Sequence, residues 1–169
     1  MSPSKALLRS RGFSLLELIV VVAIIGIMAL VAVPWFVKIG QKNTIKSAAQ
    51  EISISLAAAR MRAVKRNLAS QVLITPDPGG VGFHKIETFE MVNPTPIKVG
   101  EVQLATKVFF AAGSILQIFF GPDGRATNVA SPFSPVRVAG VTGNPITNIV
   151  EVQIAPNGRI TVVPPANWK

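Results

Sequence analysis

The sequence predicts an α+β protein in which a long N-terminal helix, with a transmembrane half and an amphipathic half, packs on an antiparallel, β-sandwich-like C-terminal domain. Residues 18–37 carry no charge, and about 20 such residues suffice for an α-helix to cross a bilayer. Apolar residues then recur every three or four positions as far as Asn67, which is the period of an amphipathic helix. Beyond Asn67, short apolar runs alternate with Pro- and Gly-rich turns, which favours antiparallel strands.

The N-terminal stretch begins with three cations, Lys5, Arg9 and Arg11, and continues into the apolar run, with the carboxylate of Glu17 at the edge of that run. An ionisable residue in an apolar span is a candidate functional residue. On residue chemistry alone, the stretch fits either a single-pass anchor with Glu17 among the headgroups or a removable secretory signal peptide. The run is longer than a usual signal-peptide core, and Pro34-Trp-Phe36 stands where small residues should precede a cleavage site. The anchor is therefore favoured over the signal peptide.

The segment Arg11-Gly-Phe-Ser-Leu-Leu-Glu17 gives a third interpretation, because it resembles the processing site of type IV prepilins and of type II secretion pseudopilins. The resemblance implies that a prepilin peptidase cuts between Gly12 and Phe13 and then methylates the new amine of Phe13. Glycine at the cut leaves the backbone open to the protease, since it has no Cβ. Glu17 becomes the fifth mature residue, and the resemblance implies that it pairs with a neighbouring subunit's Phe13 ammonium during filament assembly. Such a pair specifies register more than it adds stability.

The same resemblance divides the chain into four segments. Residues 1–12 are a leader that is removed, 13–37 a transmembrane and polymerisation helix, 38–67 an amphipathic helix that continues the spine, and 68–169 a β-rich globular domain. It also implies a single-pass protein of the inner membrane, with its N-terminus in the cytoplasm and its C-terminal domain in the periplasm. The flanking cations do not orient the span by themselves, because three precede it and three follow it closely.

The amphipathic half has one apolar stripe, with spacings of four and three residues: Ile45, Ala49, Ile52, Leu56, Ala59 and Ala63. We expect this stripe to pack on the protein's own sheet. Asn67 tolerates the left-handed conformation and is expected to end the helix. Pro34 and Gly40 predict a bend or local melting of the helix between its two halves.

Seven strands are expected, at residues 71–75, 81–92, 97–104, 114–120, 136–141, 149–155 and 159–163. Turn clusters of Pro, Gly, Asp and Asn separate them. The clearest hairpin turn is Pro156-Asn-Gly158.

Three further segments resemble the GspH/FimT family, which covers the minor pseudopilin H of type II secretion and FimT-type minor pilins. They are the helix end 57–67 and the two Gly-Arg turns at 118–125 and 154–160. Glycine in each turn is expected to take positive φ. Arg125 and Arg159, which follow these glycines, are candidate contacts for an anionic ligand.

The resemblance implies a minor pseudopilin, a structural subunit that contributes to the tip of the type II secretion pseudopilus and to protein export across the outer membrane. Its expected partners are other pseudopilins or minor pilins, the prepilin peptidase, the inner-membrane assembly platform and the membrane itself. The alternative is a FimT-type minor pilin of a type IV pilus, with a role in DNA uptake. DNA is not the favoured partner, because the C-terminal hairpin turn carries a single arginine, Arg159.

Composition excludes several chemistries. The chain has no cysteine and one histidine, His84, so a metal site or a Ser-His-Asp triad has little to build on. Its carboxylates are scattered, without a calcium-loop pattern. We therefore expect no enzyme, no catalytic residues, no metal and no cofactor. The net charge of +9 includes three leader cations, and without them 14 basic residues face 8 acidic ones, a formal +6. Seven of the fourteen lie on the amphipathic helix with one acid, Glu51, and these cations are Lys38, Lys42, Lys46, Arg60, Arg62, Lys65 and Arg66. This basic part of the helix could meet anionic headgroups or nucleic acid, or be a solvated helix face.

Overall fold

The fold was obtained as a computed structural model that describes residues 14–77, 84–92, 95–104, 108–140 and 149–168. The elements in chain order are α1 (Leu15–Arg66), β1 (Ser70–Thr75), β2 (His84–Val92), β3 (Thr95–Leu104), β4 (Val108–Phe110), β5 (Gln117–Phe120), β6 (Ser134–Gly140), β7 (Val150–Ile154), β8 (Ile160–Val163) and a 3-10 turn at Ala166–Trp168. The predicted α+β class, with one helix followed by antiparallel strands, is confirmed. Two compact units make up the chain, one ending at Ile39 and the other beginning at Gly40.

In the first unit, α1 is apolar on all sides. Its segment Leu15–Val33 has a mean hydropathy of 3.0 and is long and apolar enough to cross a membrane, and none of it is buried inside the protein. A helix that is apolar all round needs an apolar environment outside its own chain. The backbone is helical through Pro34 and Gly40, so of the two expected alternatives, a bend or local melting, melting does not occur.

The second unit is built on the predicted stripe of α1. All six stripe residues from Ile45 to Ala63 are at most 3% exposed, which confirms the expected packing face. They form one hydrophobic core with side chains from both sheets, including Phe120 and Ile154. Three of the six stripe positions are alanine, so the strands can approach the helix closely.

Within the described residues, eight strands form two antiparallel sheets of four, in the orders β3-β2-β1-β5 and β4-β6-β7-β8. Inward residues alternate with outward ones, as in β7, where Val150, Val152 and Ile154 are buried. Residues 114–116 connect the two sheets through hydrogen bonds to both. The Ile115 N–H donates to Pro135 O of β6, and the Ile74 N–H of β1 donates to Leu116 O.

This connection between the sheets explains why the start of the expected strand 114–120 was wrong. The strand begins only at Gln117, because the preceding residues bond to both sheets rather than to one. The three-residue strand β4 was not predicted, because it is defined by its pairing with β6 about 30 residues later rather than by a local pattern. The first part of the expected strand 81–92, residues 81–83, lies outside the described residues.

The end of α1 follows the prediction. Asn67 has a φ of 53°, the left-handed conformation that closes many helices. The Leu68 N–H donates to Ala63 O at 3.2 Å, and the Asn67 N–H donates to Val64 O at 3.4 Å. These are the two hydrogen bonds of a Schellman motif, so the helix stops here and the chain turns into β1.

Candidate assembly site and paired glycine turns

The start of α1 is fixed by a hydrogen bond at Ser14. The Glu17 N–H donates to Ser14 Oγ at 3.2 Å, so Ser14 caps the first turn. Serine at the cap with glutamate three residues later is the capping-box pattern, a local sequence signal for the start of a helix. Glu17 also places a carboxylate at the positive end of the helix dipole. Its exposed side chain remains accessible to a partner.

The predicted cleavage and methylation residues, Gly12 and Phe13, lie outside the described residues. Glu17 lies within the apolar segment Leu15–Val33. A carboxylate in such a segment is costly in hydrocarbon unless it gains a partner. The helix start is therefore chemically suited to bind a cation supplied by another chain, as the assembly hypothesis requires.

The two Gly-Arg turns have the same backbone hydrogen bonds. In the turn Gly121-Pro-Asp-Gly-Arg125, the Gly121 N–H donates to Arg125 O at 2.8 Å, and the Gly124 N–H donates to Gly121 O at 2.9 Å. In the turn Ala155-Pro-Asn-Gly-Arg159, the Ala155 N–H donates to Arg159 O at 2.9 Å, and the Gly158 N–H donates to Ala155 O at 2.8 Å. In each turn the Asp or Asn side chain accepts the arginine N–H at 3.0 Å. One turn follows β5 and the other joins β7 to β8, so each sheet supplies one copy.

The expectation of positive φ in these glycines is confirmed, with 74° at Gly124 and 78° at Gly158. The two turns touch each other, because the Ala126 N–H donates to Pro156 O at 3.0 Å. A Cβ at Gly158 would lie 2.0 Å from Gly124 O. Glycine is therefore needed there for close approach as well as for conformation.

Arg60 of α1 joins both turns to the helix. Its Nε donates to Gly124 O at 2.9 Å, and its Nη2 donates to Asn157 O at 3.5 Å. From the sequence, Arg60 was one of several cations on the amphipathic helix, with no partner assigned to it. These partners lie 64 and 97 residues away along the chain, so no local pattern could identify them.

Arg125 and Arg159 occupy equivalent positions in the two turns, and both side chains are exposed. The Arg125 side chain is 74% exposed, and its Nε lies 3.9 Å from Asp123 Oδ2. Such an exposed pair contributes little stability. The backbone N–H groups of both arginines serve the turns, while both guanidinium groups face solvent. A role as anion contacts therefore stays a prediction.

Arg159 borders an open groove of about 650 Å³ between α1 and the turn that precedes β8. Its helix wall includes Ala57, Met61 and Val64, and its cations are Arg60, Lys65 and Arg159. None of the ten lining residues in this described groove is acidic.

His84 is buried and held on both sides of its ring. The Asp77 N–H donates to Nδ1 at 3.0 Å, which leaves Nε2 to donate to the Val108 carbonyl oxygen. The histidine thus joins the end of β1 to β4, a packing role. Among the described residues, no group of three or more His, Cys, Asp or Glu side chains could hold a metal ion.

Residues 7–33 match the family model of the prokaryotic N-terminal methylation motif. Two solved structures share the fold: the type IV minor pilin FimU of Pseudomonas aeruginosa, at 17% identity and a TM-score of 0.57, and the minor pseudopilin EpsH from the type 2 secretion system of Vibrio cholerae, at 14% and 0.53. Each alignment covers 72% of this chain, with 90% of FimU and 98% of EpsH. No curated protein sequence matches the chain.

Proposed function

We infer that this chain, a type IV pilin-like protein by its N-terminal motif and its fold, is a minor structural subunit of a pseudopilus or pilus. The observation that carries the inference is the match to the methylation motif at residues 7–33, which begins before the apolar helical segment Leu15–Val33 and extends through it. Cleavage before that helix would keep it in the mature chain as a membrane anchor and assembly element.

The mechanism we propose is mechanical. In the membrane, the apolar segment Leu15–Val33 holds the subunit until assembly; in the filament, it packs against the same segment of neighbouring subunits. Burial of apolar surface against neighbours is non-directional, so the register must come from elsewhere. The carboxylate of Glu17, paired with the terminal ammonium of Phe13 on a neighbour, supplies that register. The C-terminal unit, held by its own core, is then displayed for specific contacts.

Within this class we propose a minor pseudopilin of type II secretion, which would act near the pseudopilus tip with other pseudopilins and an inner-membrane platform. The fold is shared with members of both systems, so this choice rests on the arginine-poor C-terminal turn. Deletion of the chain in its host should abolish export of secreted proteins and leave pili intact. Loss of pili with unchanged export would assign it to a type IV pilus instead.

Intact mass of the membrane-extracted protein tests the class itself. With the prepilin peptidase present, the protein should lose residues 1–12 and gain one methyl group on Phe13. Without the peptidase, the full chain should remain. A Gly12→Leu variant is the matched control, because a side chain at the cut blocks the close approach of the protease. A chain that stays unprocessed with the peptidase present would make it an ordinary anchored protein.

The second candidate is a minor pilin that captures DNA. The observation in its favour is the groove beside Arg159, whose cations have no acidic neighbour in the lining. Phosphate contacts weaken steeply as salt rises. Gel shifts with duplex DNA at low and high salt test this candidate, and absence of binding at low salt would remove it.

A further inference from the structure

The helix that carries the core stripe has a second apolar stripe on its outer side. This stripe, called the exposed stripe below, consists of Ile54, the half-buried Ala57, Met61 and Val64, spaced three, four and three residues apart. Ile54, Met61 and Val64 are 69%, 66% and 52% exposed. At about 100° per residue, the exposed stripe lies roughly 140° around the helix from the core stripe.

The spacing of the exposed stripe is that of a helix-packing seam. Single exposed apolar residues are ordinary, but a contiguous apolar patch with a polar border marks an interaction surface. Here the patch continues into the groove beside Arg159, which Met61 and Val64 line from one side and Ile160 from the other. A protruding apolar ridge from a partner would therefore meet apolar side chains on two walls.

The border of this surface is basic. Arg60 and Lys65 flank the stripe on the helix, and Arg159 stands on the opposite wall of the groove. Arg60 donates to the carbonyl oxygens of Gly124 and Asn157, which are neutral and leave its positive charge uncompensated. Complementarity of charge suppresses wrong partners and fixes orientation, so a partner that fits here carries carboxylates.

A second copy of this chain fits poorly. From Gly40 to Arg66, α1 has six cations and one acid, Glu51, so two such faces would repel each other. In the described residues beyond α1, five carboxylates are already within ion-pair distance of cations of the same chain: Glu87, Glu90, Glu101, Asp123 and Glu151. The chain thus has little acidic surface to offer its own groove.

We propose that the exposed stripe and the groove beside Arg159 dock a different pilin-like subunit, one that presents an apolar ridge flanked by carboxylates. This inference rests on the assembly function proposed above and names the class of partner. A protein is favoured over nucleic acid because the most exposed side chains of the stripe are apolar, whereas backbone readout of nucleic acid depends on cations.

Site-specific photo-crosslinking tests the proposal, because the chain has no cysteine of its own. A full-length Met61→Cys variant, made in membranes together with the other subunits of its filament system, is labelled with benzophenone-4-maleimide and irradiated. We expect an adduct with a different pilin-like subunit, joined through a peptide rich in Asp or Glu. Ile97→Cys, an equally apolar position on β3 that is 51% exposed, should not yield that adduct.

Charge reversal provides the second readout. Lys65→Glu combined with Arg159→Glu, in the Met61→Cys chain, should lower the yield of the adduct at least about tenfold. Arg125→Glu is the matched control, because Arg125 has the equivalent place in the other turn but does not line the groove. It should leave the yield within about twofold.

Several results would overturn the inference: a main adduct with a second copy of this chain, an adduct to lipid or DNA alone, or a yield that ignores the charge reversal. Intact mass of the same sample separates the two levels of the argument. A processed chain that enters the filament without the heterologous adduct contradicts only the docking surface. An unprocessed chain contradicts the proposed function as well.

Discussion

The α-carbon of Gly158 faces the carbonyl oxygen of Gly124 so closely that a Cβ at position 158 would lie 2.0 Å from that oxygen. The two residues belong to turns of different sheets, and Arg60 of α1 donates to the turn of Gly124 from the helix. One small contact therefore joins the helix and both sheets at the end of α1. The repeated Pro-Asx-Gly-Arg sequence is explained by this shared turn geometry.

Replacing Gly158 by alanine should destabilise the second unit by about 2–4 kcal/mol. The substitution imposes a left-handed conformation on a residue with a Cβ and forces the turns apart. Chemical denaturation of the detergent-solubilised chain measures the effect. Gly40→Ala is the control, because a Cβ there meets no heavy atom within 4 Å and alanine favours a helix by about 1 kcal/mol over glycine. Equal stability of the Gly158→Ala and wild-type chains would contradict the close approach.

Arg60→Met should lower the free energy of unfolding by about 1–3 kcal/mol, since it removes the donor to Gly124 O. The acceptor is a neutral carbonyl, so the loss should be nearly the same at low and high salt. Arg62→Met is the control, because Arg62 makes one exposed bond to Val99 O and should cost less than about 1 kcal/mol. A loss that vanishes at high salt would instead indicate an ion pair.

Asn67→Val should cost about 1–2 kcal/mol, because a β-branched residue is strained at a φ of 53°. Asn67→Gly should cost nothing or add a little stability, since glycine is the preferred residue at this position of the Schellman motif. Thermal unfolding followed by circular dichroism separates the two variants. Equal losses for valine and glycine would assign the role of Asn67 to its side chain rather than to its backbone.

Local signals in the sequence were enough for the helix and its ending. The stripe from Ile45 to Ala63 could be predicted because helical periodicity reports which face is buried, and Asn67 because few residues tolerate the left-handed conformation. The glycines of the two turns were predictable for the same reason. Each of these features depends on neighbours a few residues away.

The features that could not be predicted depend on distant partners. β4 is a strand only because β6 pairs with it. Ser114 to Leu116 is a connection between the sheets rather than a strand, because its hydrogen bonds go to Pro135 and Ile74. The contact of Arg60 with both turns has no local signature either. The groove beside Arg159 lies between segments that are far apart along the chain, residues 53–65 and 157–160, so it has no local signature in the sequence.

The loss of stability as pH falls into the acid range should come partly from Glu151. Partial burial opposes ionisation and is the largest single influence, but hydrogen bonds from Gln153 and Arg137, with the Arg137 charge, outweigh it and hold the pKa of Glu151 below its usual value of 4.5. A lowered folded-state pKa means that the ionised form contributes stability above about pH 4.5, which is lost as pH falls through the folded-state pKa.

Glu151→Gln should therefore destabilise the chain near neutral pH, by less than about 1 kcal/mol for a partly exposed pair. The difference from wild type should disappear in acid. Denaturant unfolding at pH 7 and pH 3 tests both statements. A difference that grows in acid would have the wrong sign and would refute the assignment.

Glu17→Val should leave processing intact and remove the subunit from the filament. The cap of α1 survives, because Ser14 Oγ accepts the backbone N–H of residue 17 rather than a side-chain group. What is lost is the carboxylate that we propose to pair with the Phe13 ammonium of a neighbour, and an unpartnered charge in an apolar bundle is strongly unfavourable. We expect at least about tenfold less of the variant in sheared filaments, with normal mass and membrane level.

Glu17→Gln should behave similarly, since it keeps the shape and loses the charge, whereas Glu51→Val, on the exposed side of the second unit, should assemble normally. Normal entry of Glu17→Val into filaments would show that register is set by contacts other than this charge pair.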